Sequence, residues 1–525
     1  MPYPHLDAKV NESQHLLARV LKELRTELEL PGPFPPPVLA EAERAVANQR
    51  LPCRDLTALE FVTVDPPGST DLDQAMYLER AGDGYRVWYA IADVPSFIEP
   101  GGELDRATRV RGQTIYAPDG RIPLHPDAIG EDAGSLLPGR DRSAYVWDFT
   151  LDGGANVVQV SLDRAMVRSR AKLTYAQVQE DIDSGTAPDY LVLLKEVGIK
   201  RQELELARGG ASLELPEEEI AHDGRHYFVL ARPALPVEDW NAQLSLMTGM
   251  AAARIMLAGK VGILRTMPAP DAESEERFRR QTMALGHPWP HGIAYGEYLR
   301  GLDTSEPKQL AIMNAAGSLF RGAGYTPFDG EPPAEDIQAA IAAPYAHTTA
   351  PLRRLVDRFV LLTCEALVSG LQVPEWVRQA LPRLPELMAA SDQLASRLDR
   401  ASLDAVEAAL LSHRVGEEFD AVVISARQNN RHGNGSNGNG NGGGADSAGS
   451  GNGSSNGNGA NGNGSNGNGN GRREAVPRGT IQLSDPAVTA RCEGELEPGT
   501  SVRVRLIEAD IAKRSVLFER VADRS

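Results

Sequence analysis

The sequence predicts an α+β protein that carries a small five-stranded β-barrel of the OB kind at its C-terminal end and a short helical region at its start. Three observations predict it. Alternating apolar runs at 59–64, 75–80, 85–92, 145–151 and 157–161 read as strands. Helical spacing becomes frequent after Tyr175, with long apolar helices expected at Leu244–Gly259 and Arg353–Leu371. Short alternating segments with turn residues return at Glu418–Ala426, Arg478–Leu483, Ala490–Glu495, Gly499–Glu508 and Ser515–Glu519, as in a small barrel.

Taken in order, residues 8–29 carry apolar positions at helical spacing, with Asn11 or Ser13 as cap. The run Leu30-Pro-Gly-Pro-Phe-Pro-Pro-Pro37 ends that helix, and Val38–Asn48 forms a second. The two are expected to pack against the main domain rather than to form half of a helix-turn-helix module. Residues 1–50 thus form the helical N-terminal region, 51–411 one large α+β domain, and 412–525 the OB-type barrel. Within the last lies a stretch at about 429–471 made almost entirely of Asn, Gly and Ser. It has nothing to bury, so it is expected to be a disordered insertion inside the barrel.

Composition narrows the function. Of 525 residues 41% are hydrophobic and 24% charged, ordinary for a soluble globular protein. No apolar run reaches membrane-spanning length, and no signal peptide opens the chain. Cys53, Cys364 and Cys492 are far apart and in no metal-ligand spacing, which suits a reducing cytoplasm. A net charge of −18 argues against indiscriminate coating of nucleic acid, though not against an enzyme that lines one channel with basic residues. No Gly-rich nucleotide loop and no Ser-His-Asp order is present.

Chemistry concentrates in Thr63-Val-Asp65-Pro-Pro-Gly-Ser-Thr-Asp71-Leu-Asp73-Gln74-Ala75, on a stiff loop between a strand and a hairpin. Carboxylates held this close repel one another unless a cation neutralises them. Oxygen ligands favour Mg²⁺, with Mn²⁺ as the alternative. An EF-hand is excluded, because Ala75 and Met76 stand where a ligand and a glycine are needed. Plain solvated surface remains the competing reading of the loop taken alone.

Two further motifs follow. One runs from Ile91-Ala-Asp93 to Asp105 and on through Arg109-Val-Arg-Gly-Gln-Thr-Ile-Tyr116-Ala-Pro-Asp-Gly-Arg-Ile-Pro-Leu-His125-Pro. The other is Pro344-Tyr345-Ala-His347-Thr-Thr-Ala-Pro-Leu-Arg353-Arg354-Leu-Val-Asp357. In these motifs and their order, residues 33–425 resemble the RNase II (RNB-domain) family of 3′→5′ exoribonucleases, and the barrel resembles that family's S1-type RNA-binding domain.

The resemblance implies a hydrolase of phosphodiester bonds that releases nucleoside 5′-monophosphates from single-stranded RNA, with structured RNA as a further partner. It implies an α+β RNB catalytic domain, acting as a monomer in the cytoplasm. Asp65, Asp71 and Asp73 become metal ligands, and Asp73 the aspartate on which catalysis most depends. Gln74 falls where the family has a fourth aspartate, and Asp93 is a candidate substitute for it. Tyr116 falls on the aromatic that stacks on a base near the 3′ end. Arg353 falls on the essential arginine that stabilises charge on the phosphate. Arg354, Tyr345 and His347 share its motif and are expected to contact RNA. Asn241 or Gln243 stands near the place of a ribose-contacting glutamate. Only about fifty residues precede the catalytic strands, where the family usually carries cold-shock barrels, so structured substrates are expected to be handled differently.

An RNA-binding protein with an impaired catalytic domain is the main competing expectation. A phosphodiesterase of small nucleotides is weaker still, since a small substrate needs neither barrel nor basic-aromatic motif.

Overall fold

The computed structural model describes residues 8–211, 217–222, 227–232, 234–427, 478–483, 486 and 488–522. The expected disordered insertion at about 429–471 lies outside the described residues. Five strands close the first barrel: β1 (Phe61–Asp65), β2 (Gln74–Ala81), β3 (Gly84–Ala92), β6 (Asp141–Leu151) and β7 (Val157–Thr174). Between β3 and β6 come α3 (Glu103–Arg111) and a short hairpin, β4 (Ile115–Ala117) with β5 (Gly120–Ile122). The β2–β3 hairpin turns at Ala81↔Gly84, where the sequence places its Gly-Asp-Gly turn.

The barrel is apolar on both sides, which is why its strands read as near-continuous hydrophobic runs. Val62, Val64, Met76, Tyr89 and Ile91 join one core, while Phe61, Ala75, Trp88 and Ala90 join another. Against the first pack α5 (Asp189–Arg208), α6 (Pro236–Gly259) and α10 (Leu355–Val368).

β7 is much longer than the expected 157–161, running to Thr174. Exposed or half-exposed Asp163, Arg164, Arg168 and Arg170 alternate there with buried Leu162, Ala165, Val167 and Ser169, so polar outward residues disguise a period of two. Its last stretch pairs in parallel with β1, setting Thr63 against Lys172 and Asp65 against Thr174. The expected helix at Arg353 begins instead at Leu355, because Arg354 bridges to Gln113 in extended conformation.

After β7 come α4 (Tyr175–Ser184), α5, and the pair β8 (Glu217–His222) and β9 (Tyr227–Arg232). Beyond α6, β10 (Val261–Thr266) pairs with β11 (Gly324–Asp329). Between those two strands lie α7 (Ala272–Ala284), α8 (Tyr295–Arg300) and α9 (Pro307–Ala316). The short strands β12 (Ile337–Gln338) and β13 (Ala343–Pro344) precede α10, followed by α11 (Glu375–Ala380) and α12 (Leu384–Leu411). A second closed barrel has β14 (Glu418–Arg427), β15 (Arg478–Leu483), β16 (Thr489–Glu493), β17 (Ser501–Asp510) and β18 (Ser515–Arg520), in the order β14-β15-β16-β18-β17. The Asn/Gly/Ser stretch therefore separates two neighbouring antiparallel strands, β14 and β15.

The N-terminal helices are packed elements. In α1 (Ala8–Glu27), Leu17, Val20, Leu21 and Leu24 join one core with Leu398, Ala405 and Ala409 of α12 and with Ile115 and Ile122 of the β4–β5 hairpin. Glu27 forms a two-pronged ion pair with Arg514 of the second barrel. In α2 (Pro36–Ala47), Val38 and Ala42 pack with Leu104 of α3.

Gly249 lets α6 approach the segment that leads to Arg353. A Cβ there would sit 2.1 Å from Cε2 of Tyr345 and 2.5 Å from the Ala346 carbonyl oxygen. Overpacking of this kind costs about 1–3 kcal/mol. Gly249→Ala is therefore expected to lower the melting temperature measurably, while Gly301→Ala, where a Cβ would meet nothing closer than 3.5 Å, leaves it unchanged by calorimetry.

Candidate active site

The acid loop joins β1 to β2 and is held rigidly. Ser69 N–H donates to the Pro66 carbonyl across Pro67 and Gly68, and Gly68 has φ +84°, the left-handed value that the third position of a type II turn needs. Leu72 N–H donates to Ser135 Oγ at 2.9 Å, and that hydroxyl donates to the Thr70 carbonyl at 2.7 Å. Lys172 Nζ reaches the Ser69 carbonyl at 2.5 Å.

A second segment, 349–355, closes over this loop. Leu352 N–H donates to Asp73 Oδ1 at 2.7 Å, and Gln74 Nε2 donates to the Thr349 carbonyl at 2.7 Å. His125 Nε2 contacts the Pro351 carbonyl at 3.2 Å. Thr114 N–H donates to the Arg353 carbonyl, and Leu355 N–H to that of Gly112. Arg353 is thereby fixed beside Asp73, its Nε 3.7 Å from Oδ2, with the guanidinium still 43% exposed.

Arg354, its neighbour in sequence, points the other way. It is forked onto buried Asp357 at 3.0 and 2.8 Å, and Asp357 also accepts from Ala350 N–H. Its guanidinium is committed inside the protein. Tyr345 is likewise buried, in a small core with Met250, Ile341 and Ala343. His347 lies edge-on to Tyr345 and Tyr325, with Nδ1 2.8 Å from the Tyr325 hydroxyl. Burial, then the charges of Arg354, Arg265 and Arg353, hold its pKa well below the usual imidazole value, so it is neutral.

The β4–β5 hairpin supplies the opposite wall. Tyr116 is 56% exposed, and its hydroxyl donates to Asp71 Oδ2 at 3.1 Å. Arg121 on the other strand donates to Asp71 Oδ1 at 2.8 Å and to Thr70 Oγ1 at 2.7 Å, and it pairs with Glu131. Nothing in the sequence alone marks Arg121, since its role depends on the hairpin's register, Tyr116↔Arg121. Tyr175, also missed, starts α4 beside the end of β1, and Asn241 and the Asp65 charge both act on its hydroxyl. Asn241 thus reaches the site through Tyr175. Gln243 turns away to α5, donating to Glu205 at 2.5 Å.

Two of the expected ligands are drawn elsewhere. Asp93 is buried against Ser143 (2.5 Å) and Arg164 (2.9 Å from Nε), so its carboxylate is committed to an ion pair with β7 rather than to the acid loop. Gln74 is sealed on both ends: besides the bond to Thr349, its Oε1 accepts from the Tyr89 hydroxyl at 2.7 Å, with Ser245 Oγ at 3.4 Å.

Among the described residues, no three His, Cys, Asp or Glu side chains converge into a metal-holding group. The donor set nevertheless fits one divalent ion bound through one or two carboxylates and a substrate phosphate, the usual habit of Mg²⁺. Asp65 Oδ2 is buried with no hydrogen-bond partner. Burial, reinforced by Asp71, pushes the Asp65 pKa up to about 6 against the pull of the Thr63 hydroxyl and of the Lys172 and Arg353 charges. Burial likewise raises Asp73 well above the usual carboxylate range, opposed by Arg353 and the Leu352 N–H.

With this geometry in view, the comparisons with known proteins are consistent. The RNB domain model matches residues 53–370, and the RNase II-type exonuclease C-terminal S1 domain model matches residues 469–521. The chain belongs to the RNB family. It is 28% identical over 321 residues to Ribonuclease R of Escherichia coli, covering 58% of this chain and 39% of that protein. The chain spans less than half the length of such curated relatives. The apo structure of Mycoplasma genitalium RNase R superposes with TM-score 0.78 at 17% identity, over 96% of this chain and 78% of that one. Yeast Ssd1, a pseudonuclease, superposes with TM-score 0.60 at 17% identity, over 73% of this chain and 49% of its own. Both likenesses are of fold.

A raised pKa makes Asp65 a pH-dependent liability in metal-free protein. Folding favours its protonated form, so its contribution is full below about 3.8 and is lost as pH rises through about 6. Asp65→Asn should therefore stabilise chelator-treated protein at pH 7.5, by roughly 2–3 kcal/mol. The gain should vanish near pH 4, as followed by urea unfolding at the two pH values.

Proposed function

We propose that this chain is a metal-dependent 3′→5′ exoribonuclease that degrades single-stranded RNA to nucleoside 5′-monophosphates in RNA turnover. The observation that carries the reading is the docking of segment 349–355 on the acid loop. It sets a half-exposed Arg353 side chain beside the buried Asp73 carboxylate, with exposed Tyr116 hydrogen-bonded to Asp71 of the same loop. Membership of the RNB family and the S1 match support it.

The roles follow from the positions. Arg353, held by its backbone on both sides, offers a planar fork to two phosphate oxygens and stabilises negative charge as it builds during attack. Tyr116 presents a ring face on which any base stacks, worth about 1–3 kcal/mol, without sequence readout. Asp65, Asp71 and Asp73 are the residues that would hold Mg²⁺ or Mn²⁺, which when bound lowers the pKa of water and neutralises phosphate charge. Asp73, next to Arg353, keeps its carboxylate where the phosphate must come. Asn241, which acts on Tyr175 beside Asp65, would be the group that meets a sugar hydroxyl, the feature that separates RNA from DNA. Arg354, Tyr345 and His347 act from behind, shaping the segment that carries Arg353. The three cysteines are unpaired, and no described helix is long and apolar enough to cross a membrane; the reading places a monomer in the cytoplasm.

One observation favours a second reading, an RNA-binding protein with impaired catalysis: both ends of the Gln74 amide are occupied, leaving no atom free to replace a carboxylate ligand.

A 5′-labelled single-stranded RNA incubated with Mg²⁺ separates the two. The exonuclease produces a ladder shrinking from the 3′ end, absent with chelator or in Asp73→Asn. Arg353→Lys is expected to lower kcat by about 100-fold with little change in RNA affinity, because one transition-state donor pair is lost. Tyr116→Ala should lengthen the limiting product. Undiminished RNA binding with no ladder in wild-type protein would sink the exonuclease reading.

A further inference from the structure

Each carboxylate of the acid loop already lies beside a cationic side chain, the one at Asp71 being shared with Glu131. Arg353 stands 3.7 Å from Asp73. Lys172, anchored on the Ser69 carbonyl within the loop, acts on Asp65. Arg121 makes the closest of the three contacts, 2.8 Å from Asp71 Oδ1, in a fork that also takes in Thr70 and Glu131. A guanidinium cannot be discharged in a protein, so this charge is permanent. Gln74 meanwhile removes a negative charge from the cluster and has neither end of its amide free.

The electrostatic demand for metal is correspondingly small. Two divalent ions in adjacent sites, about 3.5–4 Å apart, repel each other strongly and persist only when several shared carboxylates compensate them. Here Asp71, the acid that acts on both Asp65 and Asp73, has one oxygen occupied by Arg121 and the other by the Tyr116 hydroxyl. Of the three acids, only Asp65 keeps a buried oxygen without a partner.

We propose that Arg121 stands in for a second divalent cation. This narrows the ligand set proposed above: the chain then binds a single ion, centred on Asp65, and Asp71 is a positioning residue that ties the Tyr116 hairpin to the acid loop rather than a ligand. The inference rests on the reading of the loop as a metal site and adds to it the number of ions and the residue that sets that number. It also gives the stacking tyrosine a defined place: Asp71 holds both strands of the hairpin, Tyr116 by its hydroxyl and Arg121 by its guanidinium.

The test is Mn²⁺ binding to the full chain holding a short, uncleavable ribose-methylated RNA, counted by electron paramagnetic resonance and checked by calorimetry. Wild-type protein should bind one ion per chain, and Asp65→Asn should abolish that binding. Arg121→Gln should tighten Mn²⁺ about tenfold or admit a second ion, the scale expected from deleting one unit charge a few ångströms away. Arg121→Lys, which keeps the charge, should remain at one ion with near wild-type affinity. A merely structural arginine would give the same result for Gln and Lys. Two ions on wild-type protein, or no change in count or affinity in Arg121→Gln, would overturn the inference and leave the metal site intact. No ion on wild-type protein would overturn the metal site itself, and the inference with it. Should Arg121→Gln fail to fold, the wild-type count still decides between one ion and two.

Discussion

A single hydrogen bond, from the Leu352 N–H to Asp73 Oδ1, joins parts of the chain 279 residues apart and orders everything around it. Asp73 is almost fully buried, and a buried carboxylate without a donor costs several kcal/mol. The backbone N–H meets part of that cost. In return the carboxylate fixes the turn that carries Arg353. The neighbouring bonds, Gln74 to Thr349, His125 to Pro351 and Thr114 to Arg353, repeat the same device from other elements, so the turn is overdetermined. Such redundancy fixes the place of Arg353 against Asp73 from several elements at once.

The site also shows how one residue type takes opposite roles in adjacent positions. Arg353 and Arg354 are chemically identical, yet one faces the cleft and the other is locked onto Asp357 in the interior. The difference comes from the extended backbone at Arg354, which bridges to Gln113 just before α10 begins. Asp71 and Asp65 divide in a similar way. Both lie in the same loop, but the β4–β5 hairpin reaches only Asp71.

Much of this was legible in sequence, and the reasons for the rest are physical. The β2–β3 hairpin was clear because apolar alternation and a Gly-Asp-Gly turn agree. The barrel strands at the C-terminal end were clear for the same reason. The full length of β7 was not, since Asp163 and the arginines on its outer positions hide the period. The acid loop announced itself through charge and proline, but the sealing of Gln74 depends on Thr349 and Tyr89, which no spacing connects. Asp93 seemed available because it is near in sequence; its commitment to Arg164 follows from barrel register, which sequence proximity ignores. Arg121 was invisible because strands of three residues carry almost no periodic pattern.

The distance along the chain between Asp73 and Leu352 has a consequence during synthesis. A growing chain emerges amid messenger and ribosomal RNA, substrates that an exonuclease would attack if its centre were assembled early. The acid loop is made first, yet its arginine and the donor for Asp73 are not made until residues 352 and 353, and β1 gains its partner β7 only in between. Domains fold as units while the ribosome adds residues at about 5–20 per second. On the exonuclease reading proposed above, the nascent protein therefore carries its acids for many seconds before the arginine that would complete the centre.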